Sequence, residues 1–309
     1  MKVGMSGITS FTGAWIARDV YRDSRVKSLV GFVRKRASDY DGLAKVRLQM
    51  LGSDVTLVEG WSLDSRSREM TTRSLEEIKK ARVDVWIHHH HFMESFRSFD
   101  YDVETYRKTC IEPLEELVRT LKESGTHRIV YSGSYFEPAE GSFNDPAPTP
   151  YAISKAEVWQ NLKQLARLND IELAKVVIPN PVGPLENQDR LIPILINCSR
   201  ENKVFQMRTP KSVADNLPVT ELAPFYLRAC FESRSSSESL VFRPSMGGVS
   251  NKEFADLVQQ ELITQRLRMS PCIVQYSDEI NPLMRRNSPP DEVNVDWPKF
   301  WDFYAKMVE

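Results

Sequence analysis

The chain has 309 residues, 41% of them hydrophobic, enough for one large α/β domain or up to two ordinary ones with a sizeable core. Its 41 basic and 42 acidic residues give a formal net charge of -1, so no overall field recruits nucleic acid or an anionic membrane. Four scattered cysteines, Cys110, Cys198, Cys230 and Cys272, form no CxxC pair and read as reduced thiols of a cytoplasmic protein, and no apolar run reaches the roughly 20 residues a bilayer requires.

In chain order, the first half alternates short apolar runs with amphipathic stretches, as when parallel strands are joined by covering helices. The opening "MKVGMSGITSFTGAWIARDV" is broken by glycines and ends in charges, so it reads as strand, turn and helix rather than a signal peptide. Strands are expected at Lys2–Met5, Lys27–Val33, Val55–Val58, Val83–His88, His127–Tyr131 and Glu172–Ile178. Between the first strand and its helix stand Gly4, Gly7 and Gly13, where residues without a Cβ let backbone N–H groups approach a pyrophosphate at the positive helix end. The second strand ends without the acidic residue that would bind an NAD ribose, and Arg34, Lys35 and Arg36 follow. Three cations there suit a 2′-phosphate, which favours NADP(H), with NAD(H) as the alternative.

The fourth strand runs into "DVWIHHHHFMES" (84–95), four histidines in mid-chain. Neighbouring strand residues point to opposite faces and cannot readily close on one ion, so no metal site is expected. Val103–Glu123 is helical in pattern, with Ile111, Leu114, Leu117, Val118 and Leu121 on one face and Pro113 either interrupting it or marking its effective start. Residues 139–150 form a loop, followed by a helix from about Tyr151 whose apolar face continues through Val158, Leu162, Leu165 and Leu168. Its first turn, "YAISK", places Tyr151 and Lys155 one turn apart. A phenol working near neutrality needs a pKa shift of about three units, roughly 4 kcal/mol, and a nearby ammonium stabilises the phenolate. After Ile178 the alternation becomes irregular; Ser250 with Glu253 forms a capping box, and 232–239 reads as a solvated loop.

Together these pieces resemble the extended short-chain dehydrogenase/reductase family, in particular its branch of nucleotide-sugar epimerases, dehydratases and reductases. The family's T-G-x-T-G-F-x-G turn is matched by Ser6, Gly7, Thr9, Phe11 and Gly13, and its D-V-V-I-H-L-A-A by Asp84, Val85, Ile87 and His88. Ser132 and Ser134 match the serines ending the fifth strand, Tyr151 and Lys155 the catalytic pair, "NPVGP" (180–184) the N-V-Y-G-P, and "VTELA" (219–223) the V-D-D-L-A. The resemblance implies a Rossmann-type, doubly wound parallel α/β sheet with a smaller C-terminal substrate-binding region. The cofactor domain would span 1–178 with 210–245 returning to it, and the substrate region 179–209 and 246–309.

The implied catalytic residues are Tyr151 as proton donor or acceptor, Lys155 and Ser134. Cofactor contacts would come from Gly7, Thr9, Ser10, Phe11, Thr12, Gly13, Arg34, Lys35, Arg36, His88, His89, His90, Tyr151, Lys155 and Ile178, and substrate contacts from His91, Ser132, Ser134, Asn180 and Arg190. Tyr135 and Phe136 replace the dehydratase Asp-Glu pair, which leaves a ketone reductase or an epimerase. The first expectation is NADPH-dependent reduction of a keto-sugar, nucleotide-linked or not; a sugar epimerase and a non-catalytic NADP-binding regulator or scaffold are the alternatives. A homodimer through the helices of Val103–Glu123 and Ser154–Leu168 is also implied.

Several positions depart from the family. Ser10 replaces the middle glycine, Trp61 an aspartate near the adenine, Thr109 a common asparagine, and Ala214 the arginine that clamps a nucleotide diphosphate, leaving Arg190 or Arg208 as substitutes. His89, His90 and His91 replace Leu, Ala and Ala. Either His90 or His91 lines the site with a group that titrates near neutral pH, or these rings pack under the adjacent helix.

Overall fold

The computed structural model describes residues 1–96, 98–138, 140–143, 149–233 and 239–308. The expected loops at 139–150 and 232–239 thus lie partly outside the described residues. Apolar runs form a seven-stranded parallel sheet: β1 (Lys2–Ser6), β2 (Ser28–Val33), β3 (Thr56–Glu59), β4 (Val85–His88), β5 (Arg128–Ser134), β6 (Glu172–Ile178) and β7 (Leu240–Phe242), in the order β7-β6-β5-β4-β1-β2-β3. Strands buried on both faces read as near-continuous apolar runs, and β4 and β5 are buried along their whole length. The strand order reverses between β1 and β4, the point at which such sheets open a crevice at their carboxyl ends. The expected doubly wound sheet is therefore the observed one.

The covering helices include α1 (Phe11–Tyr21), α2 (Gly42–Leu51) and α3 (Arg68–Ala81). The expected helix over Val103–Glu123 is broken into α4 (Val103–Tyr106), a π-helical turn (Arg107–Ile111) and α5 (Leu114–Glu123). Pro113 lacks an N–H to continue the ladder and stands at the N-cap of α5. The next helix, α6 (Pro150–Leu168), is capped by Thr149, whose hydroxyl accepts from Ala152 N at 3.2 Å, with proline at its first position. Beyond it lie α7 (Leu191–Arg200), α8 (Ala223–Phe231), α9 (Asn251–Leu257) and α10 (Trp297–Val308), and the capping box of Ser250 and Glu253 opens α9 as expected.

The chain divides into two compact units. The first comprises Met1–Glu140, Ala147–Ile178 and Leu222–Phe242, with a core that includes Phe32, Trp61, Trp86, Val118, Tyr131 and Trp159. The second comprises Gly141–Pro146, Pro179–Glu221 and Arg243–Glu309, around Leu195, Phe254, Leu262, Trp301 and Tyr304. Residues 210–221 fall in the second unit because Asn216–Pro218 pairs with Asn180–Val182, and Val213–Ala214 with Val249–Ser250 and with Met284 and Arg285. No helix among the described residues is long and apolar enough to cross a membrane.

Candidate active site at the carboxyl edge of the sheet

The turn after β1 is built for residues without a side chain. Gly7 has φ +76°, and a Cβ there would lie 2.9 Å from His90 N; a Cβ on Gly13 would lie 2.2 Å from Gly7 O. Ser10, in place of the middle glycine, is the N-cap of α1, its Oγ accepting from Gly13 N at 3.0 Å. First-turn N–H groups of a helix have no intrahelical acceptor, so the start of α1 offers donors at the switch point. From α2, buried Arg47 reaches Thr9 O at 3.4 Å, and burial lowers its pKa to about 10. Arg34, Lys35 and Arg36 are exposed after β2, where Glu59 Oε1 accepts from Ala37 N at 2.6 Å. A glycine-dependent turn against a helix start, beside exposed cations, fits the diphosphate and adenosine end of a dinucleotide. Trp61 is packed in the core against Phe32, Trp86 and His90.

The four histidines part company once β4 ends. His88 is buried, takes the Trp86 Nε1–H on Nδ1 at 3.4 Å and packs against His90 at 4.8 Å between ring centroids. The backbone N–H groups of His89 and His90 donate to Ser6 Oγ at 3.2 and 3.3 Å. The His89 ring bridges two elements: Nε2 is 3.1 Å from Ser10 Oγ and 3.0 Å from Thr12 Oγ1, and Nδ1 is 2.7 Å from Ser132 Oγ. His91 Nε2 is 2.8 Å from Ser154 Oγ, and its ring packs against Tyr106 and Tyr151. Burial lowers all four pKa values, to about 3 for His89 and about 4 for His90. None is poised to titrate near neutrality, because each ring is held neutral inside the protein. Among the described residues no group of three or more His, Cys, Asp or Glu is set to hold a metal ion.

Tyr151 opens α6 and is 9% exposed, its ring walled by His91, Phe96 and Tyr101. Its hydroxyl has no hydrogen-bond partner among the described residues, and burial pushes its pKa up, so it rests as a neutral phenol. Lys155 is 4% exposed, donates to Ser132 O at 2.5 Å and lies over the Tyr131 ring at 4.7 Å. Burial lowers its pKa to about 8, with Glu137 opposing the shift. Of the two serines ending β5, Ser132 is committed: its Oγ is 2.6 Å from Tyr226 OH and 2.7 Å from His89 Nδ1. Ser134 Oγ accepts from Phe136 N at 3.3 Å, and Ile178 O, in register with Ser134, accepts from Tyr135 N at 3.1 Å.

Asn180 and Arg190 belong to the second unit, where Arg190 donates to Glu186 Oε2 at 2.8 Å, Asn180 Oδ1 at 2.9 Å and Pro181 O at 2.5 Å. Asn180 in turn donates to Asn216 Oδ1 at 2.6 Å. Four buried side chains of the first unit escaped the sequence reading: Arg47, Tyr226, Glu137 and Lys175. A lysine inside the apolar run "LAKVVI" of β6 was the available signal for the last of them.

A family model described as the NAD dependent epimerase/dehydratase family matches residues 3–236. No curated protein matches the sequence. Among solved structures, the UDP-glucose 4-epimerase of Thermus thermophilus in complex with NAD is similar at 16% identity and TM-score 0.72, over 99% of this chain and 98% of that one. The UDP-N-acetylglucosamine 4-epimerase of Methanobrevibacter ruminantium in complex with UDP-N-acetylmuramic acid is similar at 16% identity and TM-score 0.73, over 99% and 97%. The UDP-glucuronic acid 4-epimerase of Bacillus cereus in complex with UDP-glucuronic acid and NAD is similar at 14% identity and TM-score 0.71, over 99% and 98%. At these identities the likeness is one of fold. With the family model spanning strands β1 to β6, the glycine turn and the Tyr151–Lys155 pair, the chain belongs to the NAD dependent epimerase/dehydratase family, enzymes of the short-chain dehydrogenase/reductase type.

Proposed function

We propose that the protein is a dinucleotide-dependent 4-epimerase of a nucleotide-linked sugar, in place of the keto-sugar reductase expected first from the sequence. The observation that carries this reading is the gathering of the glycine turn after β1, Ser134 at the end of β5, and Tyr151 and Lys155 in the first turns of α6 in one unit. The similar folds named above support the choice of reaction, since their names join a UDP-sugar 4-epimerase to NAD or to a UDP-sugar. An epimerase also ends with its dinucleotide as it began, so it draws on no external reductant.

The dinucleotide supplies, when bound, a reversible hydride acceptor beside the sugar. The protein's own part is positional and acid–base. Gly7, Gly13 and the start of α1 hold the diphosphate, Arg34 to Arg36 meet the adenosine end, and Lys155 orients the ribose. Tyr151 passes a proton to and from the sugar oxygen, and Ser134 binds that oxygen, whereas Ser132 is held by Tyr226 and His89. Burial of Tyr151 and the aromatic wall around it exclude water from the reacting oxygen. The four free thiols suit a cytoplasmic setting, and a homodimer through α5 and α6 belongs to the same proposal.

One observation favours a second reading. The exposed Arg34, Lys35 and Arg36 suit a 2′-phosphate, and NADPH would serve a reductase. Incubation with UDP-glucose, UDP-glucuronic acid or UDP-N-acetylglucosamine plus NAD, and separately with a UDP-linked 4-keto-sugar plus NADPH, separates the two. Epimer formation without net change in reduced nicotinamide is the expected result; net consumption of NADPH would establish the reductase, and absence of dinucleotide binding would remove both.

A further inference from the structure

Beside the turn that carries Ser134 lies a buried group of three charges that the reaction proposed above does not use. Lys175 on β6 is 1% exposed and donates to Glu137 Oε2 at 2.6 Å and to Glu140 Oε1 at 2.9 Å, the two glutamates being 1% and 4% exposed. The other oxygen of Glu137 accepts from Ser134 N at 2.7 Å, so this carboxylate pins the end of β5. Gly133 makes the room: a Cβ there would lie 2.3 Å from Lys175 Cε and 2.9 Å from Glu137 Oε1.

The same group is tied to Lys155 through aromatic rings. Lys175 Nζ lies 5.0 Å from the Trp159 ring centroid, Trp159 stacks on Tyr131 at 5.9 Å and 11°, and Lys155 Nζ lies 4.7 Å from the Tyr131 centroid. One lysine between two carboxylates leaves a single negative charge over, and Lys155 brings a single positive one. Burying three charges is costly, and well-packed apolar residues of the same volume commonly serve stability as well or better, so packing alone gives this trio no reason to exist. Lys155 touches Tyr131 and Ser132 O on β5, and Glu137 holds Ser134 N two residues along the same strand; the other groups whose charge bears on Lys155 are Lys175 on β6, Cys110 in the π-helical turn, and His88 to His91 at the end of β4. Glu137 is the carboxylate among them. It favours the charged form of Lys155, whereas Lys175 opposes it.

We propose that Glu137, held in place by Lys175 and Glu140, is a positioning residue of the site: it fixes the Ser134 turn and supplies the counter-charge that keeps Lys155 an ammonium. The importance of Lys155 rests on the function proposed above, but the test reads Lys155 itself and needs neither substrate nor dinucleotide. Lysines carrying carbon-13 at Cε are titrated by NMR, the Lys155 signal being the one that Lys155→Met removes. In the parent protein it should titrate near pH 8. Glu137→Gln keeps the size and an acceptor oxygen for Ser134 N but removes the charge, and should move the midpoint down by about one pH unit. Lys175→Met removes the opposing cation and should move it up. A packing role would move neither midpoint, or both in the same direction. A midpoint in Glu137→Gln equal to or above that of the parent overturns the proposal, and this variant alone decides the matter if circular dichroism shows that Lys175→Met does not fold. Expected midpoints in a protein that binds no dinucleotide would keep this inference and sink the proposed function.

Discussion

In the first unit the Tyr151 hydroxyl has no partner among the described residues and Lys155 rests on a backbone carbonyl, so both can take up a ligand without breaking a side-chain pair. In the second unit Arg190 is tied to Glu186, Asn180 and Pro181, and Asp215 accepts the N–H of Met246 at 2.9 Å. The shifts of the buried histidines in the first unit and of buried Glu186 in the second run in opposite senses. Burial takes His89 and His90 down to about 3 and 4 in the first unit, and takes Glu186 up to about 7 in the second. Each shift keeps a buried group neutral, but the two respond to acid with opposite sign. Polar side chains of the first unit's candidate site are thus left able to react, whereas those of the second unit are already spent on its scaffold.

That division can be broken by substitution, beginning with the largest expected effect. Tyr151→Phe should lower turnover about a hundred- to ten-thousand-fold while leaving dinucleotide affinity unchanged, as read by steady-state kinetics beside a binding titration. Arg190→Ala should act on the scaffold instead. It strands Glu186, whose side chain is 1% exposed, and should cost about 3 kcal/mol in chemical denaturation. Unchanged stability with weakened substrate binding would transfer Arg190 to the reactive class.

Acid sharpens the same comparison. The histidines titrate below their unfolded value, so between about pH 6.5 and 4 the unfolded chain binds protons that the folded one does not. The first unit should lose about 1.4 kcal/mol per histidine per pH unit across that window. Glu186 titrates above its unfolded value, so its contribution is present below about pH 4.5 and is lost as pH rises through about 7. Going from about pH 7 to 5 should therefore speed hydrogen exchange in β4 relative to α7; the reverse order would refute the assignment of neutral histidines. The smallest effect is expected for His89→Leu, which removes the bridge from Ser10 and Thr12 to Ser132 and should cost about 1 kcal/mol in thermal unfolding.

The strands of the sheet were legible because parallel strands are apolar on both faces, and their ends moved by only a few residues. By apolar pattern alone β5 is expected to stop at Tyr131, whereas the family resemblance already places Ser132 and Ser134 at its end, where the structure has it. Ser132, Gly133 and Ser134 look like loop residues, but they pair in register with Val176, Val177 and Ile178. Tyr151 and Lys155 were legible because their relation is local, one helical turn. The pairs Lys175–Glu137, 38 residues apart, and Ser132–Tyr226, 94 apart, were not, since only the folded sheet brings them together. The histidines show the limit of strand alternation: β4 ends at His88, and His89, His90 and His91 then leave the strand for different neighbours.

The central claim, a hydride taken from and returned to one sugar carbon with Tyr151 handling the proton, is tested most directly with a UDP-sugar carrying deuterium at C4. The epimer should form with its C4 deuterium retained and with no dependence on added reductant. Loss of that deuterium to solvent, or NADPH-dependent reduction of a UDP-linked 4-keto-sugar with no epimer formed from the deuterated sugar, would overturn this reading.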